Sequence, residues 1–128
     1  RGVVAYNAAI SACEKSYRGQ EARDLLYEMR ARLLTPDVIS YNAVISATAG
    51  GTYWQKVWGL LRDMRSEQTS PDVITYNAAI SAFAFGKQWW AALDILAEMR
   101  VRQVSPDLIS YNAAISACEK GGRLWEAK

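Results

Sequence analysis

The sequence holds no histidine. Ser-His-Asp and Cys-His catalytic arrangements, most catalytic zinc sites and any histidine-based pH switch are thereby excluded. Cysteine is scarce as well: Cys13 and Cys118 are the only two in 128 residues. That is too few for a disulfide scaffold and suits a reducing compartment. No apolar run approaches the ~20 residues that cross a bilayer, so no membrane span is expected. Neither sign of charge dominates, with 15 basic against 13 acidic residues, and composition alone gives no electrostatic footprint of nucleic-acid binding. A P-loop, a Cys-x-x-Cys pair and a dinucleotide glycine loop are all missing. No cofactor, no metal and no enzymatic activity are therefore expected. The chain starts at Arg1 without methionine and stops at Lys128 in a charged stretch. It is expected to be a piece of a longer protein, with any targeting segment outside it.

What is present is apolar and periodic. Hydrophobic residues make up 51% of the chain, enough to bury a core. Tyr-Asn pairs begin at Tyr6, Tyr41, Tyr76 and Tyr111, a spacing of 35 residues each time. Pro36, Pro71 and Pro106 keep that period, as do Met29, Met64 and Met99. A fixed period without insertions is the signature of a repeat array. The units fall at about 3–37, 38–72 and 73–107, with a partial one at 108–128.

Each unit predicts two helices. In the second unit, Pro36 stops the preceding helix and Asp37 can cap the next. The first helix is predicted from about Ile39 to Ala49, with Tyr41, Ile45 and Thr48 on one stripe, Val44 beside it, and Gly50 and Gly51 ending it. The second is predicted from about Tyr53 to Glu67, with Trp54, Val57, Leu60, Leu61 and Met64 on one face. Trp89, Ala92, Ile95, Leu96 and Met99 repeat that face in the third unit. A single helix pair cannot bury its apolar face, so neighbouring pairs must stack into a solenoid. Cys13 and Cys118 hold equivalent places three units apart, beyond disulfide reach, and are expected as buried packing residues. Glu28, Asp63 and Glu98, with Arg30, Arg65 and Arg100 two residues on, read as a solvated outer surface.

Beside the core stripe, each first helix carries an aliphatic residue, an asparagine and a serine. The rows are Val4, Ile39, Ile74 and Ile109; Asn7, Asn42, Asn77 and Asn112; and Ser11, Ser46, Ser81 and Ser116. Stacking lines them up along one side of the array. An asparagine amide has two donors and an acceptor and can match a base edge, and a regular row suits one-base-per-repeat reading. Local hydrogen bonding to backbone is the other explanation of the asparagines, and helix capping alone accounts for the aspartates. Trp90 and Trp125 lie roughly 160° from the core stripe on ideal helix geometry. They suggest a protein interface, or else partial burial against the adjacent repeat.

The unit resembles the pentatricopeptide repeat in its plain 35-residue form, over essentially the whole chain. The resemblance is carried by the Val/Leu-Ile-Ser/Thr-Tyr-Asn start, the second-helix Ala/Val…Leu-Leu…Met pattern and the closing Ser/Thr-Pro-Asp. The tetratricopeptide repeat is a near relative with a period of about 34 residues and a different motif. The segment from Tyr111 to Gly122, with tryptophans opening the second helices, is similar to members of the family from algal organelles. The resemblance implies an all-α, right-handed α-solenoid of stacked antiparallel helix pairs, in a chloroplast or mitochondrion. It also implies that each repeat reads one RNA base through two residues: Asn7 with Asp37, Asn42 with Asp72, and Asn77 with Asp107, while Asn112 has no partner in the chain. Such Asn/Asp pairs imply a preference for consecutive uracils. Val4, Ile39, Ile74 and Ile109 match residues that sandwich bases between repeats. Lys15 and Lys120 match a lysine near the RNA backbone, a place taken by Gly50 and Phe85 in the middle units.

Two functions follow. One is sequence-specific binding of single-stranded, U-rich RNA in organellar RNA processing, stability or translation. The other is a helical scaffold making protein–protein contacts inside a large organellar complex, such as a mitoribosome or photosynthetic assembly. Weak net charge, the missing middle lysines and the outward tryptophans favour the scaffold. The intact Asn/Asp pairs favour RNA.

Overall fold

The computed structural model describes residues 2–49 and 54–120. These form seven α-helices: α1 Val3–Lys15, α2 Gly19–Ala31, α3 Val38–Ala49, α4 Gln55–Ser66, α5 Val73–Phe85, α6 Trp89–Val101 and α7 Leu108–Lys120. There is no strand among the described residues, and no helix there is long and apolar enough to cross a membrane. The first helix of the second unit matches its predicted span to within a residue. The predicted ends at Gly50, Gly51 and Tyr53 lie outside the described residues.

Local chemistry sets the helix limits. Asp72 is extended (φ −112°, ψ −173°) and caps α5: its carboxylate accepts from the Thr75 N–H, and the Thr75 hydroxyl accepts from the Asp72 N–H. The same reciprocal box joins Asp37 to Ser40 and Asp107 to Ser110. A cap of this kind is worth ~1 kcal/mol. At the other ends the chain turns through left-handed residues at Tyr17, Leu33, Gln68, Lys87 and Gln103, with φ between 53° and 63°. In each turn the next residue's N–H reaches back five residues, as from Leu34 to the Met29 carbonyl at 2.9 Å and from Thr69 to Met64 at 2.8 Å. This closes the orphan carbonyls of the helix end, in a motif that usually places glycine at the left-handed position. Gly86 stands one residue before such a position, at φ −82°. Its role is steric: a Cβ there would come within 2.5 Å of the Trp54 ring.

The first helices pack directly on one another in the order α1, α3, α5, α7, and the second helices lie behind them. Buried Ala43, Ala47, Ala79, Ala82, Ala114 and Ala117 let the first helices approach closely. The core behind them is built from Tyr41, Ile45, Tyr76, Ile80 and Phe83 of the first helices. Leu26, Met29, Leu60, Leu61, Met64, Ile95 and Met99 of the second helices complete it. The predicted stripes are therefore the buried ones, although Trp54 and Trp89 at their edge are half-buried. Cys118 is buried, whereas Cys13 is only half-buried.

The expectation of a solvated acidic and basic surface holds for Glu28 and Arg100, which are exposed, and is corrected for Arg30, Asp63, Arg65 and Glu98. Arg30 on α2 lies 3.5 Å from both Asp63 on α4 and Glu67 just past its end, and Arg65 pairs with Glu98 on α6. The core tyrosines join in: Tyr6 donates to Glu28 at 2.6 Å, Tyr76 donates to Glu98 at 3.2 Å, and Tyr41 accepts from Arg30 at 2.9 Å. Stacking brings an arginine of one second helix beside an acid of the next, 33 residues on. The result is a ladder tying the outer layer together rather than separate solvated charges.

Candidate nucleic-acid interface

Because α3, α5 and α7 are each capped by the aspartate that closes the preceding unit, every Pro-Asp turn is set beside the asparagine of that preceding unit. The Asn7 amide donates to Asp37 Oδ1 at 3.2 Å, Asn42 to Asp72 at 3.3 Å, and Asn77 to Asp107 at 3.1 Å. Three pairs read from sequence thus meet in space with one geometry. Asn112, on α7, is exposed.

A third group completes each cluster, and it was not singled out from the sequence. The hydroxyl of Ser40 donates to Asn7 Oδ1, that of Thr75 to Asn42 Oδ1, and that of Ser110 to Asn77 Oδ1. All three hydroxyl residues are 0% exposed. The same hydroxyls lie within 3.0 Å of the aspartate Oδ1, but each has a single proton. Each hydroxyl therefore has two acceptors in reach, the asparagine oxygen and the aspartate carboxylate, and serves one at a time. The signal was available: Asp-Val/Leu-Ile-Ser/Thr is a capping box in which a hydroxyl residue follows the cap by three. The bond from that hydroxyl to an asparagine 33 residues upstream is visible only in three dimensions.

The aspartates are held ionised. At Asp37 and Asp72 burial pushes the carboxyl upward, yet hydrogen bonds from the backbone and hydroxyl of Ser40 or Thr75, and from the asparagine amide, outweigh it and lower the pKa. Asp107 is lowered mainly by the Ser110 backbone N–H, then by the Asn77 amide. A group whose folded pKa lies below its unfolded value contributes stability that is complete above the unfolded carboxylate range, about pH 4, and is lost as pH falls through the folded value. The urea midpoint of the protein is accordingly expected to fall on passing below about pH 4, and to fall less in Asp72→Asn, which keeps a competent cap without the titrating group. Equal acid sensitivity in the two proteins would show that Asp72 does not titrate in this way.

Next to each cluster sits an exposed aliphatic side chain. Val4, Ile39, Ile74 and Ile109 are 58–71% exposed, a row of apolar side chains in water along the inner face. Along α1, α3 and α5, Asn7, Ser11, Glu14, Ile39, Asn42, Ser46 and Ile74 line a groove of about 260 Å³. Its lining is therefore amides, hydroxyls and aliphatic groups, with the Glu14 carboxylate among them. Lys15 borders the adjoining hollow with Tyr17, Ser46 and Ser81, and Lys120 is exposed at the end of α7. Gly50 lies outside the described residues, while Phe85 is exposed and borders the same inner surface beside Ala49 and Ser81.

Trp90 packs edge-on against Trp54 of the preceding helix pair, with ring centroids 6.4 Å apart, and donates to Gln88 at 3.1 Å. It nevertheless remains 43% exposed. Trp125 lies outside the described residues.

A stack of helix pairs with the same polar cluster at successive junctions defines a class, the tandem helical-repeat protein with a regular polar inner row. Three family models match the chain: "Pentatricopeptide repeat domain" over residues 59–121, "PPR repeat family" over 1–50 and "PPR repeat" over 39–68. The chain belongs to the pentatricopeptide-repeat family. Solved structures agree in fold. The PPR domain of Arabidopsis thaliana protein-only RNase P 1, in complex with tRNA, is 18% identical with a TM-score of 0.83 over 99% of this chain and 69% of its own. PPR10 in complex with an 18-nt psaJ RNA element is 27% identical, with a TM-score of 0.87 over 98% of this chain. PPR10 from maize is 23% identical, with a TM-score of 0.85 over 98% of this chain. The chain spans 18% of the PPR10 chain. No curated protein matches it.

Proposed function

We propose that this chain binds single-stranded RNA along its inner face, one base per repeat, and prefers consecutive uracils. The observation that carries the reading is the threefold repetition of one polar cluster beside an exposed aliphatic side chain. Water offers no reason to array exposed isoleucines at 35-residue intervals, whereas a base is flat and apolar on its faces and polar at its edge. Val4, Ile39, Ile74 and Ile109 would cover base faces, and Asn7, Asn42, Asn77 and Asn112 would read their edges. Asp37, Asp72 and Asp107 would orient the first three asparagines. Lys15 and Lys120 would meet phosphates. The RNA carried by the PPR10 structure supports the class of ligand. Binding rather than catalysis is the proposed activity, in an organellar RNA process as the family resemblance implies.

The test is fluorescence anisotropy with labelled oligo-U and oligo-A at two salt concentrations. Each well-made base contact discriminates by ~1–3 kcal/mol. Oligo-U is therefore expected to bind roughly ten-fold or more tighter than oligo-A, with both weakening as salt rises. Equal affinity for the two would remove base reading. A second reading, a protein-binding scaffold, draws on Phe85, exposed at the place where the outer units carry Lys15 and Lys120, and on the exposed Trp90 of α6. It predicts no RNA binding at either salt, and contacts that salt does not weaken.

A further inference from the structure

We propose that Tyr17 and Phe85 form a stacking slot that holds one nucleobase of the bound strand without reading it. The inference rests on the proposal that single-stranded RNA lies along the inner face, and not on the choice of uracil. Tyr17 stands in the turn after α1, and Phe85 ends α5. Helix α3 stacks between those two helices, and its last residue is Ala49. Tyr17, Ala49, Ser81 and Phe85 line one hollow of about 430 Å³. Two of its lining groups are aromatic rings, at residues 63% and 53% exposed, and the other two are short side chains. Neither ring meets another aromatic ring among the described residues.

This hollow shares Tyr17, Ala49 and Ser81 with the one that Lys15 borders. That one in turn shares Glu14 and Ser46 with the groove beside Asn7 and Asn42. The slot is therefore continuous with the proposed path of the RNA. The 35-residue register adds charge to it. Lys15 and Tyr17 of the first unit correspond to Phe85 and Lys87 of the third, so each helix end carries one aromatic and one cation, in opposite order. Both lysines are exposed. Glu14 offsets one of them and leaves an excess of positive charge. A flat group with apolar faces and an anion attached to it suits this set: the base for the rings, the phosphate for a lysine. Stacking accepts any base, because every base has a π-face. Ile74 and Phe85 stand at opposite ends of α5, roughly 16 Å apart along its axis. The occupant is thus a base turned away from the reading row, and the slot adds affinity rather than selectivity.

The parent, Phe85→Ala and Phe85→Tyr are titrated by fluorescence anisotropy with labelled oligo-U and oligo-A, each longer than the read run, at two salt concentrations. Far-UV circular dichroism establishes folding. Phe85→Ala is expected to weaken both oligonucleotides roughly five-fold or more, the loss of one stacked base. The U-over-A ratio and the steepness of the salt dependence should stay parental, since no reading group and no charge is removed. Phe85→Tyr keeps the ring and is expected to bind as the parent does. Unchanged affinity in a folded Phe85→Ala protein, the result of a slot that serves a protein segment instead, overturns the proposal. So does an equal loss in Phe85→Tyr, or a loss confined to one oligonucleotide. If Phe85→Ala does not fold, Tyr17→Ala poses the same question from the opposite ring. A parent that binds both oligonucleotides equally contradicts the base reading, while the loss in Phe85→Ala still decides the slot. A parent that binds neither overturns both.

Discussion

Glycine at Leu33, Gln68, Lys87 and Gln103 together is expected to raise the unfolding free energy by about 2–4 kcal/mol. All four have φ near +60°, where a Cβ crowds the following carbonyl at a cost of about 1–2 kcal/mol per residue. Glycine removes that strain but loosens the unfolded chain by about 0.4–1 kcal/mol at each site. The net gain is about 0.5–1 kcal/mol per position. Little packing is lost, because all four side chains are exposed, Leu33 at 92%. The hydrogen bonds of the turn are backbone only, with Gln88 to Phe83 at 2.8 Å and Val104 to Met99 at 2.8 Å, and glycine keeps them. For a chain of this size the thermal midpoint should rise by about 10 °C. No rise, or a fall, would mean that the left-handed turns carry no strain.

Phe83→Ala is expected to cost about 3–5 kcal/mol and to break the cooperativity of unfolding. Phe83 is 0% exposed on α5, with its ring 5.2 Å from Trp58 and 6.1 Å from Trp54. It therefore plugs the junction between the α3–α4 pair and the α5–α6 pair. In a stacked array each unit is held by its neighbours, so a weakened junction lets the two sides melt separately. Tryptophan emission and far-UV circular dichroism, coincident in the parent, should then report different midpoints. Phe83→Leu, which keeps most of the volume, is expected to lose less than about 1.5 kcal/mol. A single transition near the parental midpoint in Phe83→Ala would contradict this view of the junction.

The particular residues show how far a sequence carries. The period, the helix pairs and the buried tyrosine and methionine stripes are legible because each depends on spacing along one helix or on one fixed repeat, whereas the asparagine–aspartate pairs follow from the family resemblance. Contacts between units are less so. Arg23 is buried against Thr48, its guanidinium 3.1 Å from the hydroxyl, while the same two positions one unit later are Trp58 and Phe83 in ring contact. Neither member of such a pair shows its partner in the linear chain. The arginine–acid ladder escaped for the same reason, since its members lie 33 or more residues apart and meet only once the second helices are stacked. The left-handed turns escaped because the usual signal, glycine at the turning residue, is absent. Gly86, one residue before Lys87, answers instead to the Trp54 ring.

The most direct test of the uracil-reading inner face is an NMR titration of the chain with short oligo-U and oligo-A, following the side-chain amides of Asn7, Asn42 and Asn77. The free protein should first give a dispersed spectrum. All three amides should then shift with oligo-U and respond little to oligo-A, since each sits in the same cluster beside an exposed aliphatic side chain. Unmoved amides in the folded protein at millimolar RNA, or equal shifts with both oligonucleotides, would contradict base reading by this face.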